Sequence, residues 1–551
     1  MRLTATQLSF RYPAQETLAL NGVDLAIEPG QVTWLTGALG SGTSTLLLAL
    51  AGLAPRITGG ERRGAVTSDG HDPAVRHPLI DGVAYLGASP GLQLSGVAKS
   101  VRDEVAVGPM NLGWPRDRIL QSAAHAMERL HVTHLAERAP GALSGGETQR
   151  VLIAALLAAS PRAWLLDEPF SALDRVSRIA VGTLLRELAR EGATVVVSCD
   201  DADAMLDVAD RVVVMQRGRV ALDGAPHERL AGNALRVAGA STTDAATIAA
   251  AAHWDPPYPL TTAALLALVG DALPAATIAP VAAPAVDGDR LLLDQVEFAY
   301  KGGPAVLQQT SLRVGAGTAV GLFGRNGAGK STLLRLAMAL EQPSAGRVET
   351  LGENTRGRGP EDLAPRVGFL FQQPERQLFA ASVRAECAVA PTLAGWEADR
   401  IRVATEQVLD ELELLDVASE HPYDLPLPRR RLVALASILV TDPILLLLDE
   451  PTAGLDGATR DRVTAVVRAR VGRGIAVLAI THDASFAHEA LDRGLHLERG
   501  AITSDGPVRE LLNGRDLSRP AALAVALHLG LPIGADRRDS VARVLTSARR
   551  M

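Results

Sequence analysis

The sequence predicts an α/β fold: two large domains in tandem, each built around a mainly parallel sheet. Three observations carry this. A chain of 551 residues exceeds one ordinary core, and its 47% hydrophobic, 21% charged composition is globular. The chain is also written twice. Residues 165–174 read LLDEPFSALD and 447–456 read LLDEPTAGLD, while LSFRYP at 8–13 returns as VEFAY at 296–300. A repeat this long is a duplicated domain, not a solenoid unit. Finally, residues 444–448 (ILLLL) are continuously apolar and end in Asp449 and Glu450. A run without alternation suits a strand buried on both faces of a parallel sheet, and carboxylates at its C-terminal end lie where such sheets bind ligands.

Each copy opens with alternating, strand-like segments and a glycine-rich loop. In the second copy apolar residues 319–323 precede GRNGAGKST, and 333–340 continue as a helix. Strand, loop and helix in that order are the context of a phosphate loop. The stretch 237–289 has no Lys or Arg and is rich in Ala, Pro and Thr. Within it, 259–274 reads as a small amphipathic helix, and 520–532 looks alike. The expected division is therefore a first domain 1–274, a linker 275–289 and a second domain 290–551, each domain with a short helical tail. No apolar run is long enough for a membrane span, and the N-terminus does not read as a cleavable signal. Cys199 and Cys387 form no disulfide framework and suit a reducing cytosol. A net charge of −7 argues against nucleic acid as the main partner.

The second copy carries the fuller chemistry. Its loop fits G-x-x-x-x-G-K-[ST]: Gly324, Asn326, Gly327 and Gly329 lead into Lys330, Ser331 and Thr332. The glycines let backbone N–H groups face phosphate oxygens, and the following helix adds its positive end. Lys330, one of only three lysines among 55 basic residues, would reach the β- and γ-phosphates, and Ser331 would ligate Mg²⁺. Asp449 is expected to hold Mg²⁺ and Glu450 to polarise an attacking water. Gln372, in FLFQQPERQLF, is a candidate for binding Mg²⁺ or water, and His482, in AITHD, for donating to the γ-phosphate.

This series, with LSGGETQR at residues 143–150 of the first copy, resembles the ATP-binding-cassette ATPases, over nearly the whole chain. The resemblance implies two cassettes, each with a parallel core, an antiparallel portion and a helical signature subdomain. It implies that they pack head to tail, so that Ser144, Gly145, Gly146 and Glu147 of one serve the ATP held by the other. Tyr12 and Tyr300, two of only five tyrosines, take the place of the aromatic that stacks on adenine. FQQPERQLFAASV looks like the corresponding loop of energy-coupling-factor transporter ATPases, which serve vitamin and cobalt or nickel uptake. The implied cofactors are ATP and Mg²⁺. The implied partners are integral membrane subunits on separate polypeptides, with a substrate-binding membrane component among them, at the cytoplasmic face of the membrane. Two other readings are a tandem sugar-import ATPase and a ribosome-associated tandem translation factor. The second is opposed by the absence of basic residues in the joining segment, since RNA phosphates demand cations.

The departures from the pattern are unevenly shared. The first copy's loop keeps Gly37, Gly42, Ser44 and Thr45 but has Thr43 in the lysine position. It has Ala88 in the Gln372 position and Cys199 in the His482 position, while Asp167 and Glu168 remain. The second copy replaces the signature by Leu425-Pro426-Leu427-Pro428-Arg429. The prolines offer no N–H to a phosphate, and Arg429 reads as a solvated helix residue. Head-to-tail packing would gather the intact parts into one composite site and the worn parts into the other. The worn site is expected to bind nucleotide through Tyr12, Gly37, Gly42, Thr43, Ser44, Thr45, Asp167 and Glu168.

Overall fold

The computed structural model describes residues 1–551 except 14, 76, 172, 233, 270–287, 326, 374–376, 513–519, 530, 532–536 and 550–551. Contacts divide the chain into two compact units, Met1–Leu268 and Val269–Arg549. The linker expected at 275–289 lies outside the described residues but for its last two, and strand β10 already begins at Asp289.

The first unit holds β1 (Leu3–Arg11), β2 (Leu20–Ile27), β3 (Val32–Gly37), β4 (Glu61–Ser68), β5 (Val83–Leu86), β6 (Ala163–Asp167), β7 (Thr194–Ser198), β8 (Arg211–Gln216) and β9 (Arg219–Gly224). The second holds β10 (Asp289–Ala299), β11 (Ala305–Gly315), β12 (Ala319–Phe323), β13 (Ala345–Thr350), β14 (Glu353–Asn354), β15 (Val367–Leu370), β16 (Leu445–Asp449), β17 (Ala476–Ile480), β18 (Arg493–Glu498) and β19 (Ala501–Pro507). Each unit has a six-stranded sheet of the same order, β5-β6-β7-β3-β8-β9 and β15-β16-β17-β12-β18-β19, parallel but for its last strand. A smaller antiparallel sheet accompanies it, β2-β1-β4 or β11-β10-β13-β14.

The apolar runs behave as expected of doubly covered strands. In β16, Leu446 and Leu448 enter one core cluster while Leu445 and Leu447 enter another, all fully buried. In β6, Trp164 and Leu166 separate from Ala163 and Leu165 in the same way. One cluster lies toward the helical portion: Val101–Asn111, Arg116–Arg129 and Gly145–Ala158 in the first unit, Val383–Leu393, Ala398–Glu411 and Leu427–Leu439 in the second. The other lies under the antiparallel sheet. Tail helices follow at Asp244–Ala251, Thr262–Val269, Ala521–His528 and Arg538–Arg549. Among the described residues no helix is long and apolar enough to cross a membrane.

This strand order positions the site. The phosphate-loop strands β3 and β12 sit one strand away from the carboxylate strands β6 and β16, with β7 or β17 between them. Because all are parallel, their C-terminal ends open on one edge, and the loop, the carboxylates and the residues after β7 or β17 converge there. The closing Asp of each repeated LLDEP motif has a local task. Asp174 accepts from Ser177 N (2.8 Å) and Asp456 from Thr459 N (2.8 Å), capping the helices Arg175–Arg190 and Gly457–Gly472.

Candidate nucleotide sites

In the second unit the loop from β12 to the helix Lys330–Ala337 requires glycine at three described positions. Gly324 has φ 137°, and a Cβ there would lie 2.1 Å from the Leu497 carbonyl oxygen; Gly327 has φ 82° and Gly329 φ 104°. Asn326 lies outside the described residues. Lys330 is buried, and its Nζ donates to the carbonyls of Gly324 (2.6 Å) and Arg325 (3.1 Å), so the loop is wrapped around its own cation. Ser331 Oγ donates to Asp449 Oδ2 at 2.8 Å. Tyr300 lies edge-on to Phe298, hydrogen-bonds Thr332 through its hydroxyl (3.2 Å) and is 41% exposed.

Glu450 follows β16 with φ 54°, a left-handed conformation that a non-glycine residue keeps only where its surroundings fix it. Here they do. Its N–H donates to Ile480 O (2.9 Å), and its carboxylate accepts from His482 N (3.2 Å). The His482 Nε2 lies 3.6 Å from Glu450 Oε1. Burial, then the neighbouring Asp449, pushes the Glu450 carboxyl up to about 7, against the pull of the His482 N–H, Lys330 and Arg431. Burial likewise raises Asp449, opposed by the Ser331 hydrogen bond, Lys330 and Arg431. Gln372 follows β15 and is exposed, and its carbonyl accepts from Arg431 (3.4 Å).

The first unit repeats this backbone. A Cβ on Gly37 would lie 2.3 Å from Met215 O, and Gly42 has φ 102°. Tyr12 is edge-on to Phe10 and meets Thr45 at 3.1 Å. Ser44 and Ser198 hydrogen-bond Asp167, whose carboxyl is raised by burial. Thr43, the first residue of the helix Thr43–Leu50, replaces the lysine. Ala88 stands at the Gln372 position, because Gly87 N donates to Gln93 (2.9 Å) as Phe371 N does to Gln377 (2.8 Å).

One correspondence is corrected. Asp167 pairs with Ser198 and Asp449 with Ile480, so Cys199 matches Thr481, not His482. The residue in the His482 position is Asp200, whose N–H donates to Glu168 (3.1 Å) as that of His482 does to Glu450. The one-residue offset is set by the register of the paired strands, which the segment VVSCDD does not itself display. The consequence is electrostatic. Burial first, then Asp200, Asp167 and Asp201, holds the Glu168 carboxyl well above its ordinary range. Its stabilising contribution is present below the unfolded value near 4.5 and is lost as pH rises through the folded value. Glu168→Gln is therefore expected to raise the melting temperature at pH 8, by about 2–4 °C for each kcal/mol relieved, with the gain vanishing near pH 5. Calorimetry at both pH values checks this, and an equal gain at both would contradict it.

The signatures differ as their sequences suggest. Ser144 caps the helix Gly145–Ala158 in a reciprocal box with Glu147: Ser144 N donates to the carboxylate at 2.8 Å, and Glu147 N donates to Ser144 Oγ at 3.4 Å. Gly146 is buried behind them. In the second unit Pro426 precedes the helix Leu427–Leu439 with no side-chain cap. Arg429 pairs with Asp416 at 2.7 Å, 31% exposed, as a solvated helix residue does. Sequence reasoning missed two braces that the duplication could have revealed. Gln93 and Gln377 pin the strand ends, while Glu104 and Glu386, both buried, accept backbone N–H groups of Ser95 and of Phe379 and Ala380.

Two phosphate loops, each facing an Asp-Glu pair at the C-terminal edge of a parallel sheet, define an ATP-binding cassette ATPase in duplicate. The ABC transporter family model matches residues 20–171 and 307–453, one region in each unit. A protein of Methanosarcina acetivorans, provisionally named an ABC transporter ATP-binding protein, is 31% identical over 96% of this chain and 89% of its own. YkoD of Bacillus subtilis, provisionally named an HMP/thiamine import ATP-binding protein, is 28% identical over 96% of this chain and 95% of its own. The solved cbiO1 from Clostridium perfringens, described as part of the ABC transporter complex cbiONQ, is 25% identical, with a TM-score of 0.40 over 44% of this chain and 97% of that one. The chain belongs to the ABC transporter family: it is a tandem ATP-binding subunit and an ATPase.

Proposed function

We propose that this chain powers an uptake system whose membrane subunits are separate polypeptides, with one hydrolytic site and one site that binds nucleotide without turnover. The observation that carries this is the sorting of parts. The second unit has Lys330, Gln372 and His482 but Pro-Leu-Pro for a signature; the first has Ser144, Gly145 and Gly146 but Thr43, Ala88 and Asp200. Neither is complete alone. Paired head to tail, as the family resemblance implies, they give one complete composite site. Independent decay would have scattered the losses.

In the complete site Tyr300 stacks on adenine while Gly324, Gly327, Gly329 and Lys330 hold the phosphates. Ser331 and Asp449 bring a hydroxyl and a carboxylate together at 2.8 Å, an all-oxygen donor set that fits Mg²⁺, with Gln372 as a further ligand. That ion, when bound, neutralises charge on the phosphates. Glu450, with its carboxyl near 7, takes a proton from the attacking water, and His482 donates to the γ-phosphate. Ser144, Gly145, Gly146 and Glu147 close the site from the first unit. In the other site Tyr12, Gly37, Gly42, Ser44, Thr45 and Asp167 hold the nucleotide, while Thr43 and Asp200 deprive it of a cation and a donor.

The cargo we assign is a vitamin or metal ion. The FQQ…QLF loop and the thiamine-import name of YkoD support it. The chain would then sit on the cytoplasmic face of the membrane, docked on its partners. The test is to purify the tagged chain from detergent-solubilised membranes, trap it after many turnovers, and identify what copurifies and what each site holds. A polytopic membrane partner and intact ATP at the Thr43 loop are expected, and Thr43→Lys alone is expected to leave that ATP intact. Capture of ribosomes instead, or ADP formed at both loops at one rate, would defeat the proposal.

A further inference from the structure

The helix Leu427–Leu439 begins with three consecutive arginines that go separate ways. Arg429 pairs with Asp416, and Arg430 donates to the carbonyls of Leu425 and Tyr423. Arg431 is 6% exposed. One arm of its guanidinium donates to the carbonyl of Glu450, and the other reaches the carbonyl of Gln372 at 3.4 Å. It thus bridges two backbone points just beyond the C-terminal ends of neighbouring strands, β16 and β15, both at residues assigned to the hydrolytic site.

The first unit supplies the comparison. There the same helix position holds Gln149, also buried, whose amide donates to the Pro169 carbonyl at 3.1 Å, one residue beyond Glu168. The brace to the carboxylate strand is kept, but it carries no charge, and Ala88 stands where Gln372 would be. The bridging cation and the glutamine occur together in the unit that has the lysine, and neither occurs in the unit that lacks it.

We propose that Arg431 is a positioning residue for hydrolysis: it ties the Gln372 loop to the left-handed backbone of Glu450, so that the carboxylate reaches attack geometry only with that loop in place. The idea rests on the reading of Glu450 as the base. Its force is geometric. Glu450 holds φ 54° against its own preference, and one arm of a buried guanidinium on its carbonyl fixes the peptide that orients its side chain. A misplacement of about 1 Å at a reacting group costs about 10²-fold in rate.

The experiment uses the full chain with ATP and Mg²⁺. Arg431→Gln installs the residue that the first unit packs at the same place, and Arg431→Lys keeps the charge without the fork. Turnover and the affinity for ATP without turnover are measured for each. For Arg431→Gln, kcat is expected to fall about 10–100-fold with ATP affinity within about threefold of wild type. Arg431→Lys is expected to give an intermediate kcat at the same ATP affinity. Wild-type turnover in Arg431→Gln, or a loss of turnover that follows a loss of ATP affinity, would overturn the proposal. Glu450→Gln is measured alongside. If it is inactive while Arg431→Gln is unimpaired, the positioning role alone fails; if Glu450→Gln also turns over normally, the base assignment falls and this proposal with it.

Discussion

Glu450→Gln and Lys330→Ala are each expected to lower ATP turnover by about 10²–10⁴-fold, the range of a lost general base or a lost charge clamp. Glu168→Gln is expected to leave most of it. The asymmetry follows from surroundings, since the two carboxylates have the same backbone conformation, φ 54° at Glu450 and 52° at Glu168. Burial, then Asp449, pushes the Glu450 carboxyl up to about 7, and the His482 N–H, Lys330 and Arg431 oppose the rise, which leaves it available as a base near neutral pH. Burial, then Asp200 and Asp167, pushes the Glu168 carboxyl well above the ordinary range, with no cation among its neighbours Asp200, Asp167 and Asp201 to oppose the rise. Steady-state hydrolysis by the three variants decides the matter. An equal, large loss from Glu168→Gln would show two working sites.

That contrast was only half legible in the sequence. The parallel sheet could be read from ILLLL, because a strand covered on both faces has no room for polar alternation, and the two clusters flanking β16 bear this out. The loops, the carboxylates and the surviving signature announce themselves because their chemistry demands particular residues at fixed spacing. What could not be read was register. The sequence alone matches Cys199 to His482, whereas the strand pairing puts Asp200 there, which turns a missing donor into an added negative charge. Arg431 was hidden for a different reason: its role depends on a carbonyl 19 positions away and another 59 away, and no local pattern encodes such contacts.

Gly145→Asp is expected to reduce hydrolysis by at least about 10²-fold while leaving ATP binding at the Lys330 loop intact. Gly145 is the first residue of the helix Gly145–Ala158, right after the Ser144 cap, and it is not among the glycines of positive φ. The backbone therefore admits a side chain, and an acidic one is favourable in the first turn of a helix, where the dipole presents its positive end. Retained ATP binding at the Lys330 loop separates lost hydrolysis from lost folding. What it changes is the sign of the field at the helix tip. The N–H groups that would meet a γ-phosphate are joined by a carboxylate that repels it. Because Gly145 belongs to the first unit and Lys330 to the second, a loss of hydrolysis without a loss of binding is the signature of a site shared between cassettes. The matched control is Leu427→Asp at the corresponding helix start in the second unit, where Pro426 and Pro428 already withhold the N–H groups, and little effect on turnover is expected. Normal hydrolysis by Gly145→Asp would mean that Lys330 and Glu450 work without the first unit's signature, and the head-to-tail reading would have to be abandoned.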